Sequence, residues 1–450
     1  MAYIGSTPTT QSFISGTDYF NGTGSQTSFT LSRPVGSVND IQAVVNNVVQ
    51  VPNDAYNVSG TSIVFTSAPS AGTGNVYVRY LSTTTQSITP SQNTVSYATW
   101  DNDLRNETFA FKNRIINGAM VIDQRNAGAS VTSTGANFSV DRWQLQGSQT
   151  SKYSAQQNAG SVTPPVGFNK YLGVTSLSAY SVTSTDYFGL MQVIEGNNIA
   201  DLNWGTANAS TVTLSFWVRS SLTGTFGGSL INGNNTRSYP FSYTISAANT
   251  WEQKSVTITG DTTGTWATDN SAGIKVWMGL GAGSTFSGTA GSWTGSGFIA
   301  QPTGTASVVG TNGATFYITG VQIEKGTTAT NFDVRPYGTE LALCQRYYFQ
   351  QNHTMTNNRF GSGLGIGTSS VDGIIVQLPT TMRASPTGTV SNIGLYDGTN
   401  TYTISSLGQS YSTPVMFSCI AVASSSVPAG RAVQMYAINS SAVLAITAEL

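Results

Sequence analysis

The chain has 450 residues, enough for about three domains of ordinary size, and only 9% of them are charged, against 39% hydrophobic and 10% aromatic. Nineteen basic and twenty acidic residues scatter singly to a formal net charge of −1, so no basic stripe is present to neutralise phosphates, which argues against nucleic-acid binding. The apolar content is high enough to build cores, which argues against disorder and leaves a surface made of hydroxyls and amides.

Met1 to Gly5 carries neither a basic run nor an apolar stretch, so no secretory leader is expected. No segment approaches the length of a membrane span, so no membrane insertion is expected either. Residues 1–88 read as a small β-sandwich. Val44-Val45-Asn46-Asn47-Val48-Val49 is an apolar run split by two asparagines, which tolerate the positive φ of a tight hairpin. Tyr56 to Val58 and Ser62 to Phe65 read as two strands about a Ser59-Gly60 turn, and Val76 to Leu81 as a further strand. Ser82 to Pro90 has no periodicity and reads as a linker. Within 89–112, Tyr97, Trp100, Leu104 and Phe111 then fall at steps of three, four and seven, which predicts an amphipathic helix of about three turns. Such a helix is marginal alone. Three copies could bury one another's stripes, so these four residues are candidate contacts in the neck of a homotrimer.

Residues 113–338 form the next module. Val212, Leu214, Phe216 and Val218 alternate with Thr213, Ser215, Trp217 and Arg219, the signature of a strand with one buried face. Ile274 to Leu280 repeats it, with Lys275 and Trp277 on the opposite face, and the Gly-rich stretch 281–313 reads as a long loop insertion. In 339–348, Glu340, Leu341, Ala342, Leu343 and Gln345 are dense helix formers. Leu341, Cys344 and Tyr348 recur at helical spacing, so a short hinge helix is expected there. Strands return in 349–450, at 373–378, 415–422 and 432–437, and a second sandwich is expected. The fold class is all-β, a series of β domains joined by short helical linkers. The two cysteines, Cys344 and Cys419, are too few for a disulfide framework and read as small buried thiols.

Motifs of catalysis are sparse. His353 is the single histidine, and no G-x-S-x-G elbow accompanies it, so it reads as a surface or interface residue. One histidine and two distant cysteines cannot make a zinc site, and no phosphate-binding glycine loop occurs; neither metal nor cofactor is expected. Glycoside hydrolysis needs two carboxyl groups across the scissile bond. Asp141 beside Arg142 and Asp123 near Arg125 read instead as fold-stabilising contacts, while Glu195, Asp201 and Glu324 have no partner visible in the sequence. No catalytic residue is assigned. Seven of the eight tryptophans lie in 113–338, and Trp217 and Trp277 stand out because each faces away from its strand's aliphatic side chains. Three readings stay open for them: a second packing layer, a subunit interface, or a sugar-stacking platform.

Several runs together resemble the tail-fibre proteins of tailed bacteriophages, of the marine and cyanobacterial podovirus kind. They are residues 10 to 81; Phe111-Lys112-Asn113-Arg114-Ile115-Ile116-Asn117-Gly118-Ala119-Met120 with Asp123-Gln124-Arg125 and Asp141-Arg142-Trp143; Leu214 to Ser220; Ile318 to Gly326; and the junction from Phe332 to Tyr348. The resemblance implies an elongated homotrimer whose middle module is a carbohydrate-binding-like jelly roll. It further implies an N-terminal domain that attaches to a tail or adaptor protein of the virion. The C-terminal domain would meet a host surface glycan or protein, and the fibre would be a non-enzymatic part of the tail, assembled in the host cytoplasm. A tail-associated polysaccharide depolymerase and a head-decorating or accessory fibre are the other readings. In the expected tip, Tyr396, Asn400 and Tyr402 share one turn and Tyr411 lies in the next. Their mix of Tyr, Asn, Ser and Gly suits adaptable recognition loops, and it also suits ordinary hairpin turns.

Overall fold

The computed structural model describes residues 16–81, 111–353, 355–367, 369–409 and 411–450. The expected neck residues Tyr97, Trp100 and Leu104 lie outside them. Phe111, at the edge of the described chain, is exposed with a left-handed φ of 62°, so it is not itself helical as expected. Contacts divide the chain into two units, Met1–Asp101 and Asn102–Leu450.

The first unit packs Phe29, Leu31, Ile41, Tyr56, Ile63, Val76 and Val78 between a four-stranded sheet and a two-stranded ladder. Asn46 and Asn47 both take positive φ, 49° and 64°, and set Val44 opposite Val49, so the hairpin expected there forms. The expected turn at Ser59-Gly60 does not. Tyr56–Phe65 is one ten-residue strand that runs through Gly60 at φ 57°, and the register shift opposite it belongs to the neighbouring strand Ser28–Val35, whose Thr30 pairs with Ser62 while its Val35 pairs with Gly60. Surplus residues in a partner strand bend a ladder without ending it.

The second unit begins with two six-stranded antiparallel sheets packed face to face. The first sheet runs Glu252–Ile258, Val212–Ser220, Thr315–Lys325, Leu172–Ser176, Tyr153–Gln157, Val131–Thr132. The second runs Ser238–Ile245, Gly224–Asn232, Ala272–Ala282, Tyr187–Glu195, Gln144–Gly147, Ala136–Phe138. Alternation places Val212, Leu214, Phe216 and Val218 of the first against the core that Ile274, Val276, Met278 and Leu280 of the second also enter. Each such side chain contributes about 1.5–3 kcal/mol by leaving water.

The stretch 281–313 is a loop as expected, with two two-residue strands, Ser287–Gly288 and Gln301–Pro302, paired in parallel. Its Phe286 and Phe298 lie on the outer face of the second sheet.

After Pro336 the helix Tyr337–Gln345 forms, and Cys344 and Tyr347 are buried with Ile116 and Ile122 of the module's opening segment. A hinge was expected here, and the structure shows a locked joint. Arg346 donates to both oxygens of Glu195 at 3.0 and 2.8 Å. Glu449 returns from the far end of the chain to pair with Arg125 at 2.5 Å and with Arg142, whose guanidinium sits 3.5 Å from the Tyr347 ring centroid. Arg383 and Asn270 exchange two further hydrogen bonds at 2.9 Å. Partners 113 to 324 residues apart are what local sequence cannot display.

Beyond the joint, Tyr348–His353, Ala442–Thr447 and Thr387–Ser391 form a three-stranded sheet. In place of the expected second sandwich, six strands close into a barrel. Their order is Arg359–Gly365, Ser370–Gln377, Met416–Ala423, Thr401–Gln409, Ile393–Tyr396, Ala432–Ala437. Closure follows because Arg359–Gly365 pairs on both sides, which removes the free edge of an open sheet. Cys419 is buried in the barrel core, and both cysteines are free. Among the described residues no helix is long and apolar enough to cross a membrane.

Candidate functional site

A tryptophan in a fold normally hides its ring and gives its one N–H to an acceptor. Five of the tryptophans obey this: the indoles of Trp143, Trp204, Trp251, Trp266 and Trp293 each donate to a backbone carbonyl. Trp204, Trp266 and Trp293 also form an edge-to-face triad with centroids 4.7 to 5.3 Å apart. The remaining two described are Trp217 and Trp277, the pair singled out by alternation, and the structure separates them.

Trp277 is 1% exposed. Its ring lies flat on Gly189, where a Cβ would approach within 2.4 Å, and Phe298 and Tyr187 meet it edge-on at 5.2 and 5.9 Å. Loop 281–313 therefore covers it, and neither a sugar nor a second subunit can reach the ring. The platform and interface readings are corrected for this residue, which is a packing element.

Trp217 is half-buried, and its indole N–H has no partner among the described residues. It stands on the outer face of the first sheet, opposite Gln253 on one neighbouring strand and Thr319 on the other. Exposed Gln253 and Ser255 border a hollow of about 320 Å³, walled on its other side by Ala329, Thr330 and Asn331. Farther along the face, Arg219 lies 5.4 Å over the Tyr317 ring and Tyr171 packs between Tyr317 and Trp251. The face thus carries half-buried Trp217 among amides and hydroxyls, with half-buried Arg219 and Trp251 farther along it.

The acidic residues have structural partners. Asp141 accepts from the Gln124 side chain and main chain, with Arg125 at 3.8 Å, and Asp123 holds the N–H groups of Asn126 and Gly128. Burial pushes the Asp141 carboxyl up to about 6 against these bonds, and the residue is wholly enclosed. Asp201 pairs with Arg114, and Glu324 accepts from Thr330 and Gln322. His353 is bonded at both nitrogens, to Asn358, Gln351 and the Arg359 carbonyl, and its ring packs 4.4 Å from Phe360. Among the described residues no three of His, Cys, Asp and Glu gather as metal ligands.

At the barrel, Tyr396, Asn400 and Tyr402 share the hairpin between two strands, and Tyr411 does not join them. Tyr411 is exposed and follows the nine-residue strand Thr401–Gln409, so about 30 Å separates it from the hairpin turn. Tyr402 is buried, and its hydroxyl donates to Asp397 at 2.9 Å, so it supports the turn and offers no contact surface. Asp397 also accepts the N–H groups of Asn400 and Thr399, which hold its carboxyl down to about 2. Tyr396 is half-buried with its ring 6.5 Å from Tyr436, and Asn400 is exposed. Tyr436 carried no sequence signal, because nothing local shows that the barrel sets it beside Tyr396.

No protein-family model matches the chain, and no curated protein matches it. Among solved structures, the enzymatically active domain of tailspike protein 4 from bacteriophage CBA120 is similar over 48% of this chain and 22% of its own length, with 10% identity and a TM-score of 0.25. A family 11 carbohydrate-binding module of a Clostridium thermocellum cellulase is similar over 46% of this chain and 99% of its own, with 11% identity and a TM-score of 0.23. A xylan-binding domain from Paenibacillus barcinonensis is similar over 48% and 96%, with 8% identity and a TM-score of 0.22.

Proposed function

We propose that the chain is a non-enzymatic fibre adhesin of a tailed bacteriophage, and that its sandwich holds saccharide on the open sheet face around Trp217. The observation that carries this is the half-open indole whose N–H is unsatisfied among the described residues, set between Gln253 and Thr319. Pyranose rings present a C–H face that stacks on an aromatic plane and hydroxyls that bond to amides and hydroxyls at its rim. Gln253, Ser255 and Asn331 supply those groups at the edge of the adjoining hollow. One such contact is weak, and a homotrimer would raise it by presenting three copies at once.

The phage assignment rests on the sequence resemblance, which also supports an N-terminal unit that attaches to the virion and a barrel that meets the host. The non-enzymatic reading is supported by where the carboxylates go. Asp141, Glu195, Asp201, Asp261 and Glu449 each face an arginine, bonded or paired within 4 Å. The test is retention of the full chain on polysaccharide gels prepared from candidate host envelopes. Wild-type protein is retarded and Trp217→Ala is not, with equal thermal melts. Release of new reducing ends from the same polysaccharide would overturn the non-enzymatic assignment.

A further inference from the structure

A cleft of about 580 Å³ in the second unit lies where loop 165–170 meets the segment 332–340 that leads into the junction helix. That volume suits a small ligand or one or two sugar units. Phe168 and Phe332 stand edge to face in its wall, centroids 5.2 Å apart. Phe168 can lie there only because residue 320 is a glycine: at φ 61° a Cβ would come within 2.6 Å of the phenyl ring. Thr319, the strand partner of Trp217, donates its hydroxyl to the Lys170 carbonyl at 2.8 Å. The cleft is therefore joined to the open face through one residue.

Its charges are unevenly committed. Glu340 accepts the Asn117 N–H and lies 3.3 Å from Arg335, and Asp333 accepts the Asn113 N–H at 3.2 Å. Both carboxylates are thus answered from within the fold. Lys170 has no ion-pair or hydrogen-bond partner for its ammonium among the described residues, and the exposed Asn169 amide beside it has none either. The cleft presents an aromatic wall, one uncommitted cation and one uncommitted amide.

We propose that this cleft is a second saccharide subsite, selective for a sugar unit bearing an anionic group, which Lys170 pairs while the ring packs against Phe168 and Phe332. This rests on the saccharide-binding reading of the adjoining face. Carboxylate and sulfate substituents share the required chemistry, and the probes separate them.

The test is calorimetric titration of the full chain with three oligosaccharides of equal length: a polyuronate, a sulfated galactan and a neutral glucan. The wild type prefers one of the anionic oligosaccharides to the neutral one by about tenfold or more, the scale of a single charged hydrogen bond. Lys170→Gln abolishes that preference while leaving neutral-sugar affinity intact, and 0.5 M salt weakens only the anionic ligands. Which anionic ligand prevails identifies the substituent. Equal affinity for all three, or a preference that survives Lys170→Gln, overturns the subsite. If Trp217→Ala abolishes binding in either of those cases, the face reading stands without the cleft. If the wild type binds none of the three, the subsite is overturned, and the envelope-polysaccharide gels decide the face separately.

Discussion

The two outer faces of the sandwich begin from the same pattern and end differently. Each sheet carries one tryptophan turned away from its aliphatic neighbours. On the second sheet, Phe286 and Phe298 of loop 281–313 cover Trp277, and farther along Leu450 packs near Met191 and Val193 while Glu195 pairs with Arg346. On the first sheet, among the described residues, no comparable lid covers Trp217, which stays half-buried. Alternation decides which side of a strand a residue occupies, and distant chain decides whether that side is surface. A ring facing out of one sheet is therefore a packing element or a binding element according to its cover.

The largest effect expected from this contrast is at the covered face. Trp277→Ala leaves a hollow beneath the loop and costs about 3–5 kcal/mol, read as a lower urea midpoint. Loss of under about 1 kcal/mol would mean that the loop is not closed on the ring in solution.

Acidity gives the next effect, at the joint beside the covered face. The Asp141 carboxyl ionises near 3.8 in an unfolded chain and near 6 in the folded one. The folded state binds the extra proton between those values, so ionisation costs stability. The penalty is absent below about pH 4 and complete above about pH 6, at roughly 3 kcal/mol. Comparing Asp141→Asn with wild type across pH 4 to 7 isolates it: the variant lacks the descent, and identical profiles would refute the assignment.

At the open face, Trp217→Ala shifts stability by less than about 1 kcal/mol, as surface changes do, yet removes polysaccharide retention. A large loss of stability instead would make both tryptophans packing residues and erase the contrast.

The smallest effect concerns the barrel. Tyr396→Ala and Tyr411→Ala alter rims about 30 Å apart, so if the barrel meets a host as proposed, one contact registers at most one of them in phage adsorption. Equal losses from both would require two contacts.

What could be read from the sequence was local. Asn46-Asn47 announced its hairpin because two positive-φ residues between apolar pairs have few other uses. The alternation at 212–218 assigned the core face correctly. Failures share a cause in distance along the chain. Gly60 looked like a turn because the partner strand Ser28–Val35, whose pairing carries the chain through it, lies elsewhere in the sequence. The junction looked like a hinge because Glu195 and Glu449, which lock it, lie more than a hundred residues away from their arginines. Tyr402 looked like a contact residue because strand parity within a closed barrel depends on the closure.

The locked joint has a consequence for attachment. With Arg346, Arg142 and Arg383 each fixed across it, the sandwich and the barrel have no tether between them to average over. A fibre that touched its host at both would make the second contact from a set position, at an effective concentration no flexible linker reaches. The same rigidity would make it a ruler, gripping surfaces whose spacing matches and slipping from those that do not.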